Sequence, residues 1–224
     1  MNKDFLIDYS SYIGFKTLYF IIRILPKGFS LFLGTRAGDL LYYLNPKLKA
    51  KAYANIKTAL TETQGPGELS KITRHFFRNF GQNLAEIFFI PSINKDYINK
   101  YINISGLENI NAALRRGKGI ILLSVHAGSW ELSNIIASHL GFPFKVLVRQ
   151  QSKFRRVEKL LNSYRRERNS QIVQRSNQTR LLIESIKNNE AIGMTFDQGG
   201  KAGTAVKFFG KEASMASGAI KLAL

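Results

Sequence analysis

Two kinds of apolar pattern divide the chain, and one gives way to the other near residue 91. Up to that point apolar residues recur at helical spacing. Phe5 to Leu44 is dense in aromatics and leucine, with Phe15, Leu18, Phe20, Ile21 and Ile22 around a thin basic stripe of Lys16 and Arg23. Pro26 should end that helix. No uncharged run of about 18 residues occurs, so a clean transmembrane helix is not predicted. A strongly apolar helix with a basic stripe suits a segment lying in a membrane surface, or a tilted anchor with snorkelling cations. A buried helix of the same domain is the alternative, and no secretory cleavage pattern is present. After the break at Leu44-Asn-Pro46, Lys47 to Leu60 reads as a basic helix closed by Gln64-Gly-Pro-Gly67. Glu68 to Ile90 reads as another, with Ile72, Phe76, Phe80, Leu84 and Ile87 predicting one packed face.

Beyond Pro91 the pattern changes to short apolar runs separated by helix-length segments. Ser105-Gly-Leu-Glu108 reads as a capping box, and Arg115-Arg116-Gly117 suits the end of the helix it opens. Ile120 to Val125 is a β-branched and leucine-rich run bounded by glycine, the pattern of a strand buried on both faces. A helix from Ser129 to Leu140, a strand from Phe144 to Arg149 and a helix from Lys153 to Arg168 follow. Next come a short strand at Ile172-Val173, a helix from Asn177 to Lys187 with Leu181, Leu182, Ile183 and Ile186 inward, and a strand from Ala191 to Phe196. This alternation predicts βαβ units and a largely parallel sheet flanked by helices, an α/β fold. Val206 to Phe209 reads as a further strand, and Ser214 as the cap of an apolar helix still running at Leu224.

Composition narrows the partners. In 224 residues there are 33 Lys+Arg against 15 Asp+Glu, a formal charge of +18, so anionic partners are expected: lipid headgroups, an acidic carrier protein or nucleic acid. A nucleic-acid motif and an aromatic-interleaved basic sheet are missing, which counts against the last. The absence of cysteine excludes a thiol nucleophile and a disulfide framework, and three histidines, His75, His126 and His139, make a zinc site improbable. His75, between Arg74 and Phe76, reads as structural or surface. Between Lys145 and Arg168 nine cations face only Glu158 and Glu167. Most such cations form a solvated helix face, and the remainder can grip phosphate.

The candidate chemistry lies where apolar strands end at polar residues. His126 follows the strand Ile120 to Val125, and Asp197 follows the strand Ala191 to Phe196; open α/β sheets bind ligands at these carboxyl ends. Ser129 as N-cap puts Glu131 in the first helical turn, from which its carboxylate can reach back to His126 as base and orienter. A polar histidine capping a strand is the plainer reading of the same residue. Ser124 and Ser129 flank it, but neither sits in a Gly-x-Ser-x-Gly elbow.

His126-Ala-Gly-Ser-Trp-Glu131 resembles the His-x4-acid signature of the glycerolipid acyltransferase superfamily, in the form found in bacterial lipid A biosynthesis acyltransferases. Val146-Leu-Val-Arg149, Arg166-Glu-Arg168 and Asp197-Gln-Gly-Gly followed by Val206-Lys-Phe-Phe-Gly210 continue the resemblance in the same order, over nearly the whole chain. It implies a glycerolphosphate-acyltransferase-like α/β domain over residues 46–224, preceded by a membrane-associating helical segment over residues 1–45. The resemblance further implies transfer of an acyl group from acyl carrier protein to a hydroxyl of a phosphorylated lipid A precursor. Its setting would be the cytoplasmic face of a bacterial inner membrane, with no cofactor or metal and no nucleic-acid partner. His126 would be the general base and Glu131 its orienter. Arg166 would bind substrate phosphate or orient Glu131, with Arg149 in support and Arg168 and Asp197 in the substrate-binding set; Asp197 could instead hold its loop or pair with an arginine. Family members run well past Leu224, so a C-terminally truncated domain is expected. The alternatives are an acyltransferase for another membrane glycolipid or phospholipid precursor, and a non-catalytic basic binder of membranes or nucleic acid.

Overall fold

A computed structural model describes residues 3–148, 153–166, 170–174, 179–199 and 203–224. Four long helices come first: α1 (Lys3–Ile24), α2 (Lys27–Leu44), α3 (Pro46–Leu60) and α4 (Pro66–Ile87). A 3-10 turn at Ile90–Ser92 leads to α5 (Lys95–Tyr101) and α6 (Leu107–Leu114). The α/β part then runs β1 (Ile120–Ser124), α7 (Trp130–Ser138), β2 (Phe144–Val148), α8 (Arg155–Arg165), β3 (Ser170–Gln174), α9 (Thr179–Lys187) and β4 (Ala191–Thr195). A hairpin of β5 (Thr204–Phe208) and β6 (Lys211–Met215) precedes α10 (Gly218–Ala223). Among the described residues, no helix is long and apolar enough to cross a membrane.

The four-stranded sheet is parallel throughout, in the order β1-β4-β2-β3. β4 is thus central, and Ala191 and Ile192 in it are fully buried. Its Gly193 is small because the Phe144 ring lies over it: a Cβ there would come within 2.6 Å of Phe144 Cζ. Lys145, buried in β2, donates to Ser185 Oγ of α9 at 2.8 Å and pairs with Glu190, tying the sheet to that helix.

Glycine decides the helical layer. Gly34 and Gly38 of α2 meet Gly81 of α4 backbone to backbone; a Cβ on Gly34 would lie 2.7 Å from the Gly81 carbonyl oxygen, and those on Gly38 and Gly81 would strike backbone more closely still. Side chains at these points would hold the helices apart. This contact turns α4 by one position from the expectation of the sequence. Leu69, Thr73, Phe77, Gly81 and Ala85 face inward, whereas Phe76 and Leu84 are exposed. The large apolar residues predicted the wrong stripe because small ones made the closest contact.

Other boundaries moved for local reasons. The capping box at Ser105 does not form: α6 starts at Leu107 with Gly106 as N-cap at φ 79. Lys211 to Met215, part of it read as helix, pairs antiparallel with β5. Of the four apolar residues expected inward in α9 only Leu182 is buried, Ile186 packs beside it, and Leu181 and Ile183 are exposed. His75 is exposed.

α1 and α2 are packed onto the rest of the chain. Ile22 joins the core of Phe88, Leu132 and Ile135, with Phe15 and Tyr19 against it. Asp39 of α2, itself buried, accepts from Arg74 Nε at 2.7 Å and Arg78 Nε at 2.8 Å in α4, and from Arg36 Nη1 at 3.2 Å. Hydrogen bonds from Arg78 and then Arg74 outweigh burial and hold its carboxyl down at about 2, against an ordinary 3.8. A carboxylate whose folded pKa is depressed adds stability above its unfolded pKa and loses it as pH falls through the folded one. Denaturant midpoints should therefore fall between about pH 4 and about pH 2, and Asp39→Asn should flatten that limb. An acid limb unchanged in the variant would assign it to other carboxylates.

Candidate active site

Strand register brings the site together. β1 pairs with β4 so that Ser124 lies opposite Thr195, and the Phe196 amide donates to the Ser124 carbonyl at 3.2 Å. His126 stands two residues beyond Ser124 and Asp197 two residues beyond Thr195, so the two side chains leave the sheet at the same level. His126 Nδ1 donates to Asp197 Oδ1 at 2.6 Å, and the His126 backbone amide donates to Oδ2 at 2.8 Å. Partial burial pushes the Asp197 carboxyl up, but these hydrogen bonds outweigh it and leave the group below the ordinary carboxylate range. An ionised carboxylate can only accept, which puts a proton on Nδ1; in the neutral ring the lone pair is then on Nε2. Gln198 Nε2 approaches that nitrogen at 3.4 Å, and Trp130 stands edge-on to the ring at 5.5 Å between centroids.

Glu131 does not orient His126, contrary to the expectation from spacing. Arg165 takes it bidentately, with Nε to Oε2 at 3.0 Å and Nη2 to Oε1 at 2.6 Å. Ser129 stands at the N-cap of α7 but turns its hydroxyl to Asn83, and Glu131, in the first turn of α7, meets α8. The partner is Arg165 and not Arg166 because Arg165 shares the cavity face of α8 with Leu161 and Glu158, whereas Arg166 follows at the helix end and is exposed. Asp197, read from the sequence as holding its loop or pairing with an arginine, pairs with the histidine. Arg149 and Arg168 lie outside the described residues, as does part of the glycine-rich stretch after Asp197.

His126, Glu131 and Arg165 line a cavity of about 1460 Å³. Trp130, Phe154, Val157, Leu161, Leu182 and Met194 make most of the remainder apolar, and α1 closes one side with Ser11, Gly14, Phe15 and Leu18. The volume exceeds the ~300–1,000 Å³ of ordinary small-molecule pockets. Chemically, the arrangement offers a histidine held by a carboxylate on the wall of a large, mostly apolar space, beside a paired Glu and Arg. No grouping of three or more metal-ligating side chains occurs among the described residues.

The family model of the bacterial lipid A biosynthesis acyltransferases matches residues 3–224. Phosphatidylinositol mannoside acyltransferase of Mycobacterium tuberculosis is 26% identical over 155 residues, 65% of this chain and 48% of that protein. Lipid A biosynthesis palmitoleoyltransferase of Escherichia coli K12 is 23% identical over 190 residues, 84% of this chain and 61% of that one, and lipid A biosynthesis acyltransferase of Shigella flexneri matches to the same extent. The chain spans about half to three fifths of the length of these curated relatives.

Proposed function

The chain belongs to the bacterial lipid A biosynthesis acyltransferase family, and on that premise we propose that it transfers a fatty acyl group from a thioester donor to a hydroxyl of a glycolipid at a membrane surface. The observation that carries the reading is the His126 ring, held by Asp197 through Nδ1 and lining a largely apolar cavity. In the reaction, Nε2 takes the proton of the acceptor hydroxyl as its oxygen attacks the thioester carbonyl. The C–S bond of the resulting tetrahedral adduct breaks, and the leaving thiolate recovers a proton from the imidazolium, without an acyl-enzyme. Asp197 pairs with the imidazolium while it lasts. The cavity takes the acyl chain, and the Glu131–Arg165 pair fixes the wall beside the reacting atoms.

The donor is acyl carrier protein, whose acidic surface suits the exposed cations Arg155 and Lys159 of α8 and Lys153 and Arg166 just outside its two ends. The acceptor is a phosphorylated lipid A precursor. The membrane reading rests on α1 and α2, which expose Phe20, Ile24, Phe29, Phe32, Tyr43 and Leu44 near Lys16, Arg23 and Arg36. Apolar surface of this extent beside cations suits the boundary between headgroups and acyl chains, at the cytoplasmic face of the inner membrane. The mycobacterial relatives favour a second acceptor, a phosphatidylinositol mannoside.

The test offers labelled acyl–acyl carrier protein to membranes carrying this chain, with a lipid A precursor and a phosphatidylinositol mannoside as parallel acceptors. Label in the lipid A precursor is the expected result. Label only in the mannoside would replace the acceptor, and label in neither would overturn transfer by this chain.

A further inference from the structure

Helix α8 carries an ion pair to a neighbouring helix at each of its ends. Arg165 in its last turn holds Glu131, and Arg156 in its first turn is held by Asp8 of α1, which accepts from the Arg156 amide at 3.0 Å and from Nη1 at 2.6 Å. Those two arginines are about 13 Å apart along the axis at the rise of an α-helix. α1 is thereby laid alongside the cavity, with Phe15 anchored on Phe88 at 4.8 Å between ring centroids. Ser11, Gly14 and Leu18 line the cavity at spacings of three and four, one helical face.

Gly14 is the odd member of that face. A glycine inside a helix is a poorer helix former than alanine, so its presence calls for a reason. At Gly34, Gly38 and Gly81 the reason is contact with backbone; at Gly14 an added Cβ meets nothing within 4 Å, so packing does not require the glycine. What it leaves is room. We infer that Gly14 sets the length of acyl chain the cavity accepts: it lines the cavity, an added Cβ there meets nothing within 4 Å, and a side chain as long as Leu would take up room that a long acyl chain needs. This rests on the acyltransferase reading above and assigns to α1 the selection among donors.

The test compares the parent chain with Gly14→Ala, Gly14→Leu and Gly14→Phe, and uses Gly28→Leu as a control. Gly28 also has open space at its Cβ but lies in α2, away from the cavity lining. Two readouts are taken: kcat/KM with medium-chain and long-chain acyl–acyl carrier protein, and binding of free fatty acids of the same two lengths to the purified chain. The ratio of long-chain to medium-chain use should fall about tenfold with Leu, the equivalent of roughly two methylenes left unburied. It should fall further with Phe and hardly at all with Ala. Long-chain fatty acid binding should weaken in parallel, with medium-chain binding and melting temperature held. Gly28→Leu should change neither ratio. A uniform loss at both lengths, or an unchanged preference in the binding series, would overturn the inference. Length-selective weakening of binding in a chain that transfers nothing would uphold Gly14 and sink the transfer reading alone.

Discussion

Asp197→Asn should lower kcat by about 10⁴-fold with KM nearly unchanged, the scale observed when the orienting carboxylate of a catalytic triad becomes an amide. The physical cause is the tautomer. An Asn amide can present an N–H to His126 Nδ1, which moves the ring proton to Nε2, the nitrogen that takes the hydroxyl proton in the proposed mechanism. The cavity is untouched, so donor and acceptor still bind. His126→Ala should cost a similar factor, and the double variant little more than either alone, since residues acting as one unit are not additive. Nitrogen chemical shifts of the ring supply a readout independent of turnover: protonated Nδ1 in the parent, protonated Nε2 in the variant. Asp197→Asn retaining transfer within tenfold of the parent would remove Asp197 from the mechanism and reopen the search for the orienter.

The second large effect separates two roles for Glu131. Its carboxylate is 18% exposed and Arg165 is 12% exposed, so the pair is nearly desolvated. Removing one partner of a buried pair leaves an uncompensated charge, at a cost of ~3–5 kcal/mol, whereas replacing both with apolar groups of similar volume is often close to neutral. Arg165 keeps its bond to Asn162, so Glu131→Leu should destabilise the fold by up to that amount, and Glu131→Leu with Arg165→Met should recover most of it. Both are read as denaturant midpoints at constant slope. The double variant should also recover transfer in part, because Glu131 positions the cavity wall and does not touch His126. A double variant of full stability and no activity would return Glu131 to the chemistry.

Much of the α/β part was legible because parallel strands leave an apolar run with an abrupt polar end, as β1 and β4 do; β1, expected to be buried on both faces, is instead an edge strand with Leu123 exposed. The convergence of His126 and Asp197 on one sheet edge could be read from that pattern alone. Their direct pairing could not, because it depends on β4 inserting beside β1, and strand order leaves no local mark in a sequence. The His-x4-Glu spacing pointed to the wrong partner for the same reason: Arg165 is 34 positions from Glu131 along the chain and meets it only through the packing of α7 on α8. One residue of phase separates Arg165 from Arg166, and periodicity over a strongly basic segment does not resolve it. In the helical part, glycines that look like weaknesses in isolated helices turned out to fix the α2–α4 interface.

The mooring of α1 has a practical side. A greasy leading helix invites deletion when a soluble catalytic core is wanted for expression, and the resemblance-based division at residue 45 marks a natural place to cut. Such a cut would strip the cavity of one flank, take Asp8 from Arg156, and uncover Phe88 and Leu132 where Phe15 and Ile22 now cover them. The shortened product would carry His126 and Asp197 intact on their strands and still lack an enclosed place for a hydrocarbon tail. Detergent or nanodisc preparations of the uncut chain are accordingly the material on which this site can be assayed.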